Sequence, residues 1–167
     1  MKNEIQQSEA FLAAMNRSLY YLGLRARTEK QMRDYLHKKE TQADVIEAVI
    51  ERLHEYGYID DERYAQRLIE TQIQYGKKGK RAIAQKMWQS GIQEEVAQAA
   101  LDEIDETAEL DAARHWVEKL SEKWRDDPKR REKMYRRLAA KGFGYDITAQ
   151  VLREYQQKME EETVDFD

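Results

Sequence analysis

Apolar residues recur along this chain at the spacing of an amphipathic helix rather than that of a strand. Val45, Ile46, Val49, Ile50 and Leu53 step by one, three, one and three residues, which puts them on one stripe of an α-helix. Val96, Ala97, Ala100, Leu101 and Ile104 repeat the stripe 51 residues later. The same shift reaches a third segment without a gap. It aligns Met32 with Ile83 and Met134, Leu36 with Met87 and Leu138, Thr41 with Ile92 and Phe143, and Val49 with Ala100 and Val151. Upstream it aligns Ala14 with Ala65 and Trp116, and Leu22 with Ile73 and Trp124. A fixed period of this length marks stacked supersecondary units. The pattern predicts helices near 8–24, 28–39 and 43–56, then 60–75, 79–90 and 93–106, then 108–125, 128–141 and 145–160.

The boundaries carry their own chemistry. Thr28 followed by Gln31 fits a capping box that opens the second helix of the first repeat. Asp127 before Pro128 fits an N-cap with proline at the first helical position. The acid pairs Asp60-Asp61 and Asp126-Asp127 precede helices, where carboxylates cap free N–H groups. Gly91 and Gly142 stand where second helices should end in a left-handed residue. The first repeat has Glu40 there, so its turn is expected to differ or to be strained. The expected fold class is all-α, an elongated array of three tandem three-helix repeats. The expected domains are 1–57, 58–106 and 107–160, followed by an acidic tail at 161–167. Residues 1–7 and the acidic end from Glu160 are expected to fray.

Composition narrows the class. One proline and seven glycines in 167 residues are too few turn formers for a β-sandwich or barrel. The absence of cysteine excludes disulfides and thiolate metal sites. The apolar run Phe11–Met15 is too short for a signal-peptide core, and no stretch approaches a membrane span. The cytoplasm is the expected location, with no membrane partner.

Net charge is only −4, but it is segregated. Residues 25–39 hold Arg25, Arg27, Lys30, Arg33, Lys38 and Lys39 against two acids, a net of +4. Residues 77–86 hold Lys77, Lys78, Lys80, Arg81 and Lys86 with no acid, a net of +5. Residues 129–141 hold Lys129, Arg130, Arg131, Lys133, Arg136, Arg137 and Lys141 against Glu132, a net of +6. The third helices are acidic, at −4 over 40–55, −8 over 92–111 and −5 over 144–167. For one helix this reads as a solvated face paired with its neighbours. Exposed pairs contribute only ~0–1 kcal/mol each, too little to require the same polarity three times. A basic strip of this kind attracts phosphate backbones or an acidic protein groove.

Other chemistry is sparse. His37, His54 and His115 lack metal-ligand spacing, and no metal or cofactor is expected. Gly76-Lys77-Lys78-Gly79 reads as a basic interhelical turn rather than a phosphate-cradling loop. Trp116 and Trp124 align with core positions, whereas Trp88 is open to either a core or a base-stacking reading. No catalytic constellation emerges.

Specific strings then matter. They are Arg25-Ala-Arg27-Thr28-Glu-Lys-Gln31-Met32, Tyr58-Ile59-Asp60-Asp61-Glu62-Arg63-Tyr64-Ala65, Gly76-Lys-Lys-Gly79-Lys-Arg81-Ala-Ile83, and Lys141-Gly142-Phe143 ahead of Ile147 and Val151. Their order and spacing over residues 10–155 resemble the RecX family of bacterial recombinase regulators. Asp60-Asp61-x-Arg63-Tyr64-Ala65 followed by the Gly76 turn is the most specific part. Lys39-Glu40 departs from the Lys-Gly pair common in that family. The resemblance implies three three-helix repeats and a monomer that lies in the groove of the RecA recombinase filament. It implies inhibition of ATP hydrolysis, strand exchange and coprotease activity, with effects on DNA repair and the SOS response, and no catalytic residues. On this expectation the fifteen cations from Arg25, Arg27, Lys30 and Arg33 through Lys77–Lys86 to Lys129–Arg137 meet the filament, with weak DNA binding. Asp60, Asp61, Arg63, Tyr64, Gly76, Gly91, Gly142 and Phe143 are expected to be mainly structural, Tyr64 as a packing residue. The alternative is a general helical nucleic-acid-binding protein that uses the basic strip without RecA.

Overall fold

Each of the three register-related segments folds into three helices. The computed structural model describes residues 2–6 and 8–164, with ten helices among them. The first repeat holds α2 (Glu9–Leu24), α3 (Glu29–Lys38) and α4 (Ala43–Glu55), preceded by α1 (Lys2–Gln6). The second holds α5 (Asp61–Gln74), α6 (Lys80–Gln89) and α7 (Glu94–Asp102). The third holds α8 (Glu106–Lys123), α9 (Arg130–Ala140) and α10 (Tyr145–Val164). No strand occurs among the described residues.

The apolar register explains the packing. Met32, Ile83 and Met134, and likewise Leu36, Met87 and Leu138, are all fully buried. Met32 and Leu36 enter the core of the first repeat and Met134 and Leu138 that of the third, because positions four apart share one helix face. All three second helices end in the same turn. The N–H groups of Glu40, Gly91 and Gly142 donate to the carbonyls of His37, Trp88 and Ala139. The next N–H groups, of Thr41, Ile92 and Phe143, reach back to Leu36, Met87 and Leu138. This is the Schellman pattern, with a left-handed residue at its centre. Glu40 adopts it too, at φ 56°, so the first turn does not differ in form; its strain lies in a side chain at positive φ.

The chain divides into two compact units. One comprises residues 1–67 and 87–97, the other residues 68–86 and 98–167, so the second repeat contributes to both. In the first unit, Phe11, Met32, Leu36, Val45, Ile46, Val49, Ile50, Leu53 and Ile59 form the core. Ile5 of α1 packs against it, which gives residues 2–6 a helical anchor where fraying was expected. In the second unit, Leu110, Val117, Leu120, Met134, Leu138, Phe143, Ile147, Val151 and Leu152 form the core. Trp116 and Trp124 pack against it, as their register suggested. The acidic end continues as helix to Val164, and residues 165–167 lie outside the described residues.

Two boundaries differ from expectation. Helix α9 begins at Arg130, so Pro128 precedes it by two residues instead of opening it. The Asp127 carboxylate accepts from the Lys129 N–H at 2.8 Å and pairs with Lys133, and this holds the turn ahead of the helix. Helix α7 stops at Asp102, and Asp105 caps α8 by accepting from Thr107 N–H at 2.9 Å.

Candidate interaction surface

Within each unit, the start of one second helix is docked on the end of the next. In the first unit Thr28 forms the expected capping box with Gln31. Its hydroxyl also donates to the Ser90 carbonyl at 2.6 Å, beside the Gly91 turn. In the second unit, Gly79 N–H donates to the Lys141 carbonyl and Arg81 N–H to the Gly142 carbonyl, both at 3.1 Å. A Cβ on Gly79 would lie 2.4 Å from the Gly142 oxygen, so glycine permits this backbone contact. The sequence Gly76-Lys77-Lys78-Gly79 is thus a turn, with Lys77 itself at φ 45°.

Carboxylates from the following repeat cap these helices. Asp61 of α5 accepts from Glu29 N–H of α3 at 3.0 Å, and Glu109 of α8 accepts from Lys80 N–H of α6 at 2.8 Å. Glu29 and Lys80 are register equivalents, so the device recurs. Of the expected acid pair, Asp60 caps its own helix through Arg63 N–H at 2.9 Å, while Asp61 serves another helix. Burial pushes the Asp61 carboxyl up, aided by the nearby Glu29 charge and opposed by the Glu29 N–H. Arg63 donates to the Gly57 carbonyl, and Tyr64 is half-buried beside buried Ala65. Phe143 is buried behind the Gly142 turn.

The predicted cations divide by their partners. In the first unit, Arg33 bonds Glu29 at 2.7 Å and forks onto Glu47, and Lys30 pairs with Asp34 at 2.6 Å. Burial raises the Glu29 carboxyl, but hydrogen bonds from Arg33 and His54 outweigh it and hold Glu29 below its ordinary range. Arg27 lies 3.8 Å over the Tyr21 ring, which stacks on Tyr35 at 4.0 Å. Arg25 is exposed.

In the second unit, Lys133 pairs with Asp127 and Arg136 with Glu132. Arg130 donates to the Arg125 carbonyl at 3.0 Å, Arg131 to Gln156, and Lys86 to Gln72 at 2.9 Å. Arg81, Lys129 and Arg137 are exposed, and Lys77, Lys78 and Lys80 half-buried, with no ion pair among the described residues. The unpaired cations therefore concentrate in α6 and α9 and the residues just ahead of them. Trp88 is 77% exposed, which removes it from the core reading. In the sequence Lys141 stands out only as a charge of its helix and as part of the Lys141-Gly142-Phe143 string, while Lys119 and the Tyr21–Tyr35 stack carry no signal there. Only a tertiary contact distinguishes these residues from their neighbours.

The fold and this surface define an all-α protein of three tandem three-helix domains with cationic second helices. Among the described residues no helix is long and apolar enough to cross a membrane. The first, second and third three-helix domains of RecX match residues 14–53, 60–101 and 107–152. The chain belongs to the RecX family. It is 32% identical over 152 residues to the regulatory protein RecX of Streptococcus uberis, covering 88% of this chain and 57% of that one. It is 30% identical over 150 residues to the regulatory protein RecX of Clostridioides difficile, covering 89% of this chain and 70% of that one. The crystal structure of RecX from Lactobacillus salivarius matches with a TM-score of 0.84 at 26% identity, over 89% of this chain and 98% of that one. The chain thus spans little more than half the length of the Streptococcus uberis relative.

Proposed function

We propose that this chain is a non-enzymatic regulator that binds the RecA recombinase filament as a monomer in the cytoplasm. In this reading it inhibits ATP hydrolysis, strand exchange and coprotease activity, and so modulates DNA repair and the SOS response. The observation that carries the reading is the match of all three RecX domains in order along the chain. The unpaired cations give it a physical form. Arg81, Lys129 and Arg137, with Lys77, Lys78 and Lys80, meet acidic patches of the filament and the DNA it holds. Charge complementarity of this kind speeds encounter and makes affinity salt-dependent.

The test is RecA ATP hydrolysis on single-stranded DNA during titration with this protein, with binding to naked DNA measured in the same buffer. Inhibition is expected well below the concentration that coats the DNA. Tight DNA binding with unchanged hydrolysis would instead favour the general nucleic-acid-binding reading. Reversing Lys80, Arg81, Arg130 and Arg131 together is expected to weaken filament binding and flatten its salt dependence. Unchanged affinity in the folded variant would remove these helices from the interface.

A further inference from the structure

Lys141 is an anomaly within the second unit. It is only 9% exposed, yet no carboxylate pairs with it among the described residues. Its ammonium sits 3.2 Å above the centre of the Trp116 ring. Trp116 is fixed by its indole N–H, which donates to the Lys77 carbonyl at 2.8 Å. The charged groups that face Lys141 come from three directions and are all cations: Lys78 ahead of α6, Arg137 of α9 and Lys119 of α8. Lys119 also lies over Trp116, 5.6 Å from the ring centre.

A cation–π contact offsets only part of the cost of burying an ammonium among like charges. Burial foremost, then the repulsion of Lys78, Arg137 and Lys119, holds the Lys141 amine down at about 8. The arrangement is therefore unfavourable while empty of counter-charge, and an anion would relieve it.

We propose that Lys141 and Lys119 over the Trp116 ring, with Lys78 and Arg137 beside Lys141, form a binding site for one tetrahedral oxyanion of the phosphate class. A planar carboxylate offers two oxygens and is matched by a single arginine fork, whereas a phosphate presents oxygens in several directions to several cations at once. The source is either a nucleic-acid backbone or a free phosphate group. Binding requires Lys141 as ammonium and so takes up a proton where the empty site has released it. The site needs no recombinase, so its test is independent of the proposed regulation.

The probes are sulfate and a short thymidine oligonucleotide, neither of whose anionic groups titrates near neutrality. The readouts are the Trp116 indole N–H resonance, assigned by comparison with Trp88→Phe and Trp124→Phe, and affinity at constant ionic strength. Saturable movement of that resonance is expected, with affinity about tenfold weaker at pH 9 than at pH 7, because the amine loses its proton across that range. Lys141→Arg should keep binding and lose the pH dependence, since guanidinium stays charged. Lys141→Met should lose binding while retaining the helical melt. A response to the oligonucleotide alone assigns the site to a nucleic-acid backbone, and a response to sulfate alone assigns it to a free oxyanion. No saturable response to either probe, or equal binding by Lys141→Met, would overturn the proposal.

Discussion

Glu40 and Gly142 occupy the same place in equivalent turns, yet their surroundings differ. Glu40 is exposed at φ 56°, so its side chain meets solvent and only the left-handed backbone is costly. Gly142 sits at φ 88°, and a Cβ there would lie 2.4 Å from the Ala82 nitrogen. Gly91 is intermediate, since its Cβ would meet the flexible stem of Lys30. A non-glycine residue in the left-handed region costs about 1–2 kcal/mol, and glycine returns part of that in unfolded-chain entropy. Glu40→Gly is therefore expected to stabilise by about 0.5–1 kcal/mol. Gly142→Ala should destabilise by about 2 kcal/mol or more, because strain and overlap with backbone add. Denaturant midpoints of the two variants check this. A loss of stability in Glu40→Gly would mean that the Glu40 side chain makes a contact its exposure conceals. Glu40 is thus tolerated because its turn is open.

At the scale of the element, α3 is capped both by its own Thr28–Gln31 box and by a carboxylate of the next repeat, and only the first cap was legible. Thr28 and Gln31 announce their capping box at a fixed spacing of three residues. Asp61 and Glu109 cap helices 32 and 29 residues away, and no local pattern points to such partners. The same limit applies to the surface. Counting located the cations in α3, α6 and α9, but Arg33 is committed to Glu47 of α4, whereas Arg81 has no ion pair. The apolar period was legible because burial in a helix forces it; the ion partners were not, because exposed charges obey no such period. Asp61 yields a test with a definite sign. The fold holds its carboxyl above the unfolded value, so folding favours the protonated form, and stability is lost as pH rises through that range. Asp61→Asn keeps an oxygen for the Glu29 N–H and removes the buried charge. It should melt at or above the parent temperature at pH 7, with the difference vanishing near pH 3. A clear loss at pH 7 would show that the charge itself holds α3.

For the whole molecule, the consequence lies in how the second repeat is shared. Residues 87–97 pack with residues 1–67, and residues 68–86 pack with 98–167. The first repeat by itself lacks Ser90, which accepts from Thr28, and Asp61, which caps α3. It would expose the buried Thr28 at the start of that helix and lose the docking of the Gly91 turn. A unit of this size has little core to spare, and neighbour contacts contribute much of the stability of repeat proteins. A fragment of residues 1–57 is therefore expected to show weak helicity and no cooperative melt. A fragment of residues 1–106 contains every residue of the first unit and should melt cooperatively. Circular dichroism on the two fragments decides the matter. A cooperative transition in the shorter fragment would make each repeat an autonomous domain, and the shared second repeat a matter of contact alone. Failure of the longer one would mean that residues 68–86 and 98–106 cannot remain without the third repeat, so that the docking of α6 on the Gly142 turn governs the stability of the chain beyond its own unit.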